Sequence, residues 1–274
     1  MPLTEREEIL LTSLKEWENQ LLNHETSDIE HTYNQWLEST MEKLPVDIKE
    51  KIQASIDQWL FYIHASIQHT SVQKKSIKRL LNKVRLIYPE IENIPSLKQL
   101  PIDVLNVYAD EQIQRHQLIG MFQGALAGTG RFLFVSTDIL SMIVINVRAI
   151  QLIAAAYGFD IQRPFEQMLS LKVFYVATLP KRFQKEAWND LWNELEENDQ
   201  YYYYGEEDVT GKMFIHFPLR QIIKSLAILT FKNKEKPSFI SMAIGASSNY
   251  YSTKNITEFA QKFYQYRLLK EKIE

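Results

Sequence analysis

The chain has 274 residues and a formal net charge of −3, with 31 basic against 34 acidic side chains, which excludes whole-chain electrostatic binding to nucleic acid. It contains no cysteine, so structural disulfides and thiolate metal sites are excluded and a reducing, cytoplasmic setting is expected. Eight glycines and nine prolines are few for this length, which favours long helices over short strands joined by tight turns.

The first twenty residues are acidic and lack the basic start and apolar run of a signal peptide. Thr4 with Glu7 three residues later predicts a capping box at the start of a first helix, and Ser27 with Glu30 repeats it for a second. In that second helix Ile29, Tyr33, Trp36, Leu37 and Met41 recur at three- and four-residue steps and define an inward stripe. Pro45 suits the first turn of a third helix, continued by Ile52, Ile56, Trp59, Leu60 and Ile63. A fourth begins near Thr70. Residues 1–69 carry thirteen acids and five bases, whereas Gln73 to Arg85 carries six bases and no acid. Ile77, Leu80, Leu81, Val84 and Ile87 fall on one side of this basic helix. It can lie on anionic lipid, or it can bury its apolar stripe and leave its basic face solvated or paired with the acidic N-terminal helices.

From Tyr88 to Pro101 three prolines interrupt any helical period, which divides the chain into an N-terminal helical region at 1–87, a connector at 88–101 and a helical core at 102–274. The core is expected to open with a helix to about His116. An apolar pair within 117–159 follows, then a helix after Pro164 and another from Lys181 to about Asn198. Nine acids lie between Glu186 and Asp208, and the run Tyr201–Tyr204 followed by Gly205 reads as a loop. Helices resume near Leu219 and after Thr253. The fold class is therefore all-α: a multi-helix bundle around a central apolar, glycine-rich helical hairpin.

That hairpin dominates the chain. Residues 117–159 hold three charges, Arg131, Asp138 and Arg148. Gly120, Gly124 and Gly128 fall four apart, so on a helix they form a smooth packing strip against which another backbone can come close. Each glycine costs roughly 1 kcal/mol relative to alanine in a helix, and tight packing is the natural compensation. Gly130 ends the segment. Ser136 or Thr137 can cap the next helix with Asp138 in its first turn, and Tyr157-Gly158 closes it with glycine in the left-handed position. Ile139 to Phe159 is long enough to span a bilayer, but Arg148 at its middle would cost about 2.5–3.5 kcal/mol there. A buried hairpin, or one docked at a membrane, is favoured over a full span. A charge in such surroundings needs a partner or a solvent path. Asp138 and Arg148, with Arg131 and Asn249, are thus the candidate binding residues, beside their simpler roles as a cap and a paired or rim guanidinium.

The segment GMFQGALAGTGRFLFVSTDILSMIVINVRAIQLIAAAYGFDIQRP resembles the EcsC family, whose members carry a glycine-rich apolar helix, an aspartate before a second apolar helix and a Tyr-Gly-Tyr/Phe-Asp ending. The tail PSFISMAIGASSNYYSTKNITEFAQKFYQYRLL is similar to that family's closing segment, with Asn249, Ala260, Tyr264 and Arg267 at the corresponding positions. Agreement is good over about residues 100–274 and loose before that. Ser136-Thr137 departs from the proline or alanine usual before the aspartate. The family takes its name from a protein encoded beside the subunits of a bacterial ABC transporter. The resemblance implies a fold and a setting at the cytoplasmic membrane face, with membrane surface or transporter subunits as partners, and brings no catalytic residues.

Six histidines, at 24, 31, 64, 69, 116 and 216, show no metal-ligand spacing. There is no G-x-S-x-G elbow, no phosphate-binding loop and no thiol nucleophile. The expectation is a non-enzymatic accessory protein without metal, cofactor or nucleic acid. The alternative is a module or hydrolase for a lipid-like ligand, held near Asp138 and Arg148.

Overall fold

The computed structural model describes residues 3–23, 71–128, 135–179, 181–198 and 239–273. The expected helices at 29–41 and 45–63, the capping box at Ser27, the tyrosine loop and the helix near Leu219 lie outside these residues. Within these segments, side chains are not described for residues 126–128, 135–140, 182, 183, 194, 196–198, 239–246 and 248. The described residues form seven α-helices and no strand: α1 Glu5–Leu22, α2 Ser71–Arg85, α3 Ile102–Gly128, α4 Val135–Ala156, α5 Pro164–Thr178, α6 Lys181–Asn198 and α7 Phe239–Ile273. A 3-10 turn at Pro95–Gln99 precedes α3.

The capping box at the start of α1 is present, with Glu7 N donating to Thr4 Oγ1 at 3.3 Å and Thr4 N donating back to the Glu7 carboxylate at 2.9 Å. α2 starts within a residue of the expected position and turns Gln73, Ile77, Leu80 and Val84 inward. Ile87 does not continue that stripe. It falls two residues past the helix, in a turn, and is exposed.

Two helices are longer than the sequence reading. α3 runs unbroken through His116, where a boundary was expected, because the change there from charged to apolar residues is not accompanied by proline or a capping signal. α7 begins at Phe239, well before Thr253. The Gly245-Ala-Ser-Ser-Asn stretch is weak in helix propensity, but the helix is carried through it by packing against α3. Ser136 and Thr137 lie just inside α4, so they are not its cap, and Asp138 is its fourth residue.

α7 is the central element and packs against α1, α3, α4 and α5. Gln265 Nε2 donates to Asn106 Oδ1 at 2.8 Å and Gln261 Nε2 to Asp110 Oδ1 at 2.7 Å, which fixes α3 and α7 as antiparallel neighbours. Tyr157 donates to the same Asn106 oxygen at 2.7 Å, tying in the end of α4. α2 joins through Gln73, whose amide donates to Gln151 of α4 at 2.6 Å. Around Trp188 of α6, rings from α1 and α7 pack edge to face, with Trp17 at 5.3 Å and Phe259 at 5.7 Å between centroids. The Trp188 indole donates to Glu18, and Tyr266 donates to the other oxygen of that carboxylate. One apolar core thus includes residues from every described helix except the exposed faces of α1, α2 and α6.

Candidate functional site

Two ends of the bundle carry the residues singled out by sequence. At one end, α4 stops in a Schellman turn. Phe159 N reaches Ala154 O and Gly158 N reaches Ala155 O, both at 3.0 Å, and Gly158 takes φ +84°. A Cβ at Gly158 would stand 2.5 Å from Lys98 Cγ and 3.0 Å from Lys98 N, so the position also lets the 3-10 turn approach. Phe159 then lies between two cations, Lys98 Nζ at 4.2 Å and the Arg267 guanidinium at 4.1 Å from its ring centre. Arg267 makes a two-pronged pair with Glu166 at 2.8 and 2.9 Å and approaches Glu271 at 3.4 Å. Burial opposes the Arg267 charge, but Glu166 outweighs it and strengthens the protonated form. Tyr264, wholly buried beside this pair, has its hydroxyl pKa raised well above 10 by burial and by Glu166. Ala260 is fully buried one turn away. Glu166 was not foreseen. In sequence it reads as a first-turn acid favoured by the helix dipole, and nothing local points to a partner 101 positions later.

At the other end lies the glycine strip. A Cβ at Gly120 would sit 2.6 Å from Thr253 Oγ1 and 3.5 Å from Asn249 O, so α7 lies directly against α3 there. Gly124 is buried one turn on, and Gly128 is the last residue of α3. Asn249 itself is half-buried. Arg148 is half-buried on α4, near enough to His116 of α3 to act on its titration. The His116 pKa falls below 6.5 chiefly through burial, with Arg115 and Arg148 adding to the effect against the pull of Gln112 O, which lies 2.8 Å from Nδ1. Asn146 donates to Met142 O at 2.8 Å, while its Oδ1 and Thr253 Oγ1 are buried with no partner among the described residues. The structure therefore brings Gly120 against Asn249 and Thr253. The side chain of Asp138 and the whole of Arg131 lie outside the described residues.

A family model for the EcsC protein family matches residues 8–269. The chain belongs to the EcsC family. The match extends through the N-terminal region, where the resemblance of the sequence is loose, as well as the core. The chain is also similar to the uncharacterized protein YdbA of Bacillus subtilis (strain 168), at 23% identity over 182 residues, covering 64% of this chain and 64% of that protein. The chain thus spans a little under two thirds of that relative's length. No solved structure matches. In this member of the EcsC family the Tyr-Gly-Phe turn and the Ala260, Tyr264 and Arg267 positions converge on one interlocked corner. Their chemistry there is packing, capping and charge pairing.

Proposed function

We propose that the chain is a non-enzymatic accessory protein of the cytoplasmic membrane face, docking on the bilayer beside the membrane subunits of an ABC transporter or secretion machinery. One observation carries this reading: the outward face of α3 changes character along its length. Its exposed positions begin with Asp103, Val107, Asp110, Glu111, Gln114 and Arg115. They continue as Leu118, Ile119 and Phe122, which are 51%, 37% and 63% exposed. Three neighbouring large apolar side chains on the outside of a helix mark an interaction surface. Fully burying an exposed side chain of this kind is worth about 1.5–3 kcal/mol, and each of these gains the fraction that its exposed part represents. Among the described residues no helix is long and apolar enough to cross a membrane, so the docking proposed is peripheral.

Flotation of the full chain with phospholipid vesicles tests the reading. The unaltered protein should float with the vesicles and be released by alkaline carbonate. Leu118→Ser with Phe122→Ser should bind at least about tenfold more weakly while keeping its helical signal. A protein that stays in the soluble fraction with neutral and anionic vesicles alike refutes membrane docking. A second reading, a module for a lipid-like ligand near Asp138 and Arg148, draws support from the unpaired polar atoms of Asn146 and Thr253, since each such atom costs about 1–3 kcal/mol when left unsatisfied. In the same assay such a module would remove single lipid molecules from the vesicles and remain in solution.

A further inference from the structure

α2 offers a second surface of different chemistry. Its inward stripe of Ile77, Leu80 and Val84 is buried in the core and the Gln73 amide donates to Gln151 of α4, so the apolar side of this helix is already occupied by protein. The opposite side presents Lys74, Lys75, Lys78 and Arg79, all exposed and set at two successive turns of one face. Two further bases have structural employment: Lys83 pairs with Glu111, and Arg85 donates to the carbonyls of Ile91 and Glu92. The first four have no acidic partner among the described residues. Of the acids of α1, Glu7 is directed to Lys272 and Glu18 to Trp188 and Tyr266.

Immediately beyond the helix, Leu86 and Ile87 project into solvent, 84% and 67% exposed, and Val72 is exposed at the opposite end. A row of lysines alone would suit any polyanion. A row of lysines followed by two bare aliphatic side chains suits an anionic bilayer, which offers phosphate headgroups to the first and the acyl boundary to the second. Nucleic acid would be better served by aromatic rings for stacking, and α2 has none. Because the chain as a whole is acidic, attraction to an anionic membrane has to be local, and such a contact orients the molecule.

We propose that α2 is an anionic-phospholipid sensor: Lys74, Lys75, Lys78 and Arg79 engage the headgroups while Leu86 and Ile87 enter the interface. This rests on the membrane-docking reading and adds to it a requirement for lipid charge. The full chain is floated with vesicles of phosphatidylcholine alone and of phosphatidylcholine mixed with phosphatidylserine. The unaltered protein should prefer the anionic vesicles and lose that preference as salt is raised, a measurement that needs no variant. The triple change Lys74→Gln, Lys75→Gln and Lys78→Gln should weaken binding to the anionic vesicles about a hundredfold and leave binding to neutral ones nearly unchanged. Leu86→Ser with Ile87→Ser should weaken binding to both. Equal binding of the unaltered protein to the two vesicles, or a triple variant that binds anionic vesicles undiminished, overturns the role of α2 and leaves apolar docking through α3 standing. Failure to bind either vesicle refutes both. Retention on heparin or RNA that depends on the three lysines, with vesicle binding that does not, assigns the face to another polyanion and overturns the proposal.

Discussion

Gly158 is under two constraints at once. Its φ of +84° is a conformation that side chains with a Cβ avoid, and the missing Cβ is also the space taken by Lys98. The nearest obstacle is a flexible methylene, but the next is the Lys98 backbone nitrogen at 3.0 Å, which cannot move without shifting the 3-10 turn. Gly158→Ala should therefore destabilise the fold by about 2–4 kcal/mol, read as a lower urea midpoint. A loss of under about 1 kcal/mol would mean that the turn repacks freely. The disturbance should reach Phe159, whose ring is held between Lys98 and Arg267, so the cost belongs to a whole corner. The residue chemistry at this end secures geometry: the cation–ring contacts and the Arg267–Glu166 pair hold the turn in place.

At the scale of elements, the contact of α3 with α7 turns on Gly120. Alanine there gains about 1 kcal/mol of helix propensity, but its methyl would meet Thr253 Oγ1 at 2.6 Å. Threonine is stiff at χ1 and fully buried, so the hydroxyl has little room to yield. Gly120→Ala alone should cost about 1–3 kcal/mol by overpacking. Thr253→Ala removes the obstructing oxygen, which has no hydrogen-bond partner among the described residues, so the double variant should recover at least about 1 kcal/mol of that loss. Additive effects in a double-mutant cycle of denaturation midpoints would show that the two helices are not in this contact. Thr4 and Glu7 made the first cap legible in sequence, and Gly158 the last turn of α4; of the glycines spaced four apart, Gly120 is the one shown against another helix. The partner of the strip was not legible, because α7 was expected to begin only after Thr253, where local propensity recovers. The ends of α3 and α7 were missed for one reason: both helices continue through weak or changing local signals because tertiary packing stabilises them. Pairs such as Arg267 with Glu166 join distant segments and leave no periodic trace. Of the candidate binding residues, sequence placed Asp138 correctly in the first turn of α4 but carried no information on what Arg148 or Asn249 would face.

For the whole molecule, titrating groups at opposite ends of the bundle make stability depend on pH in one direction. His116 is buried beside Arg115 and Arg148, and its folded pKa lies below 6.5, so between those two values the unfolded chain binds the extra proton. Stability is then full above pH 6.5 and is lost as pH falls from there to the folded pKa of His116. Glu7 adds a second step. Burial alone would raise its pKa, but the ammonium of Lys272 and the hydrogen bonds from Thr4 outweigh it and hold the carboxyl below 4.5. A carboxylate depressed in the folded state contributes stability above its unfolded pKa and loses it as pH falls through the folded one, here along the seam between α1 and the end of α7. The urea midpoint should thus decline in two stages on acidification, one beginning near 6.5 and one beginning near 4.5. His116→Gln should flatten the upper stage and leave the lower, whereas Glu7→Gln should do the reverse, because the two groups sit on different helices with no shared partner. An upper stage that persists unchanged in His116→Gln would place the responsible proton elsewhere and detach His116 and Arg148 from the stability of the glycine-rich end.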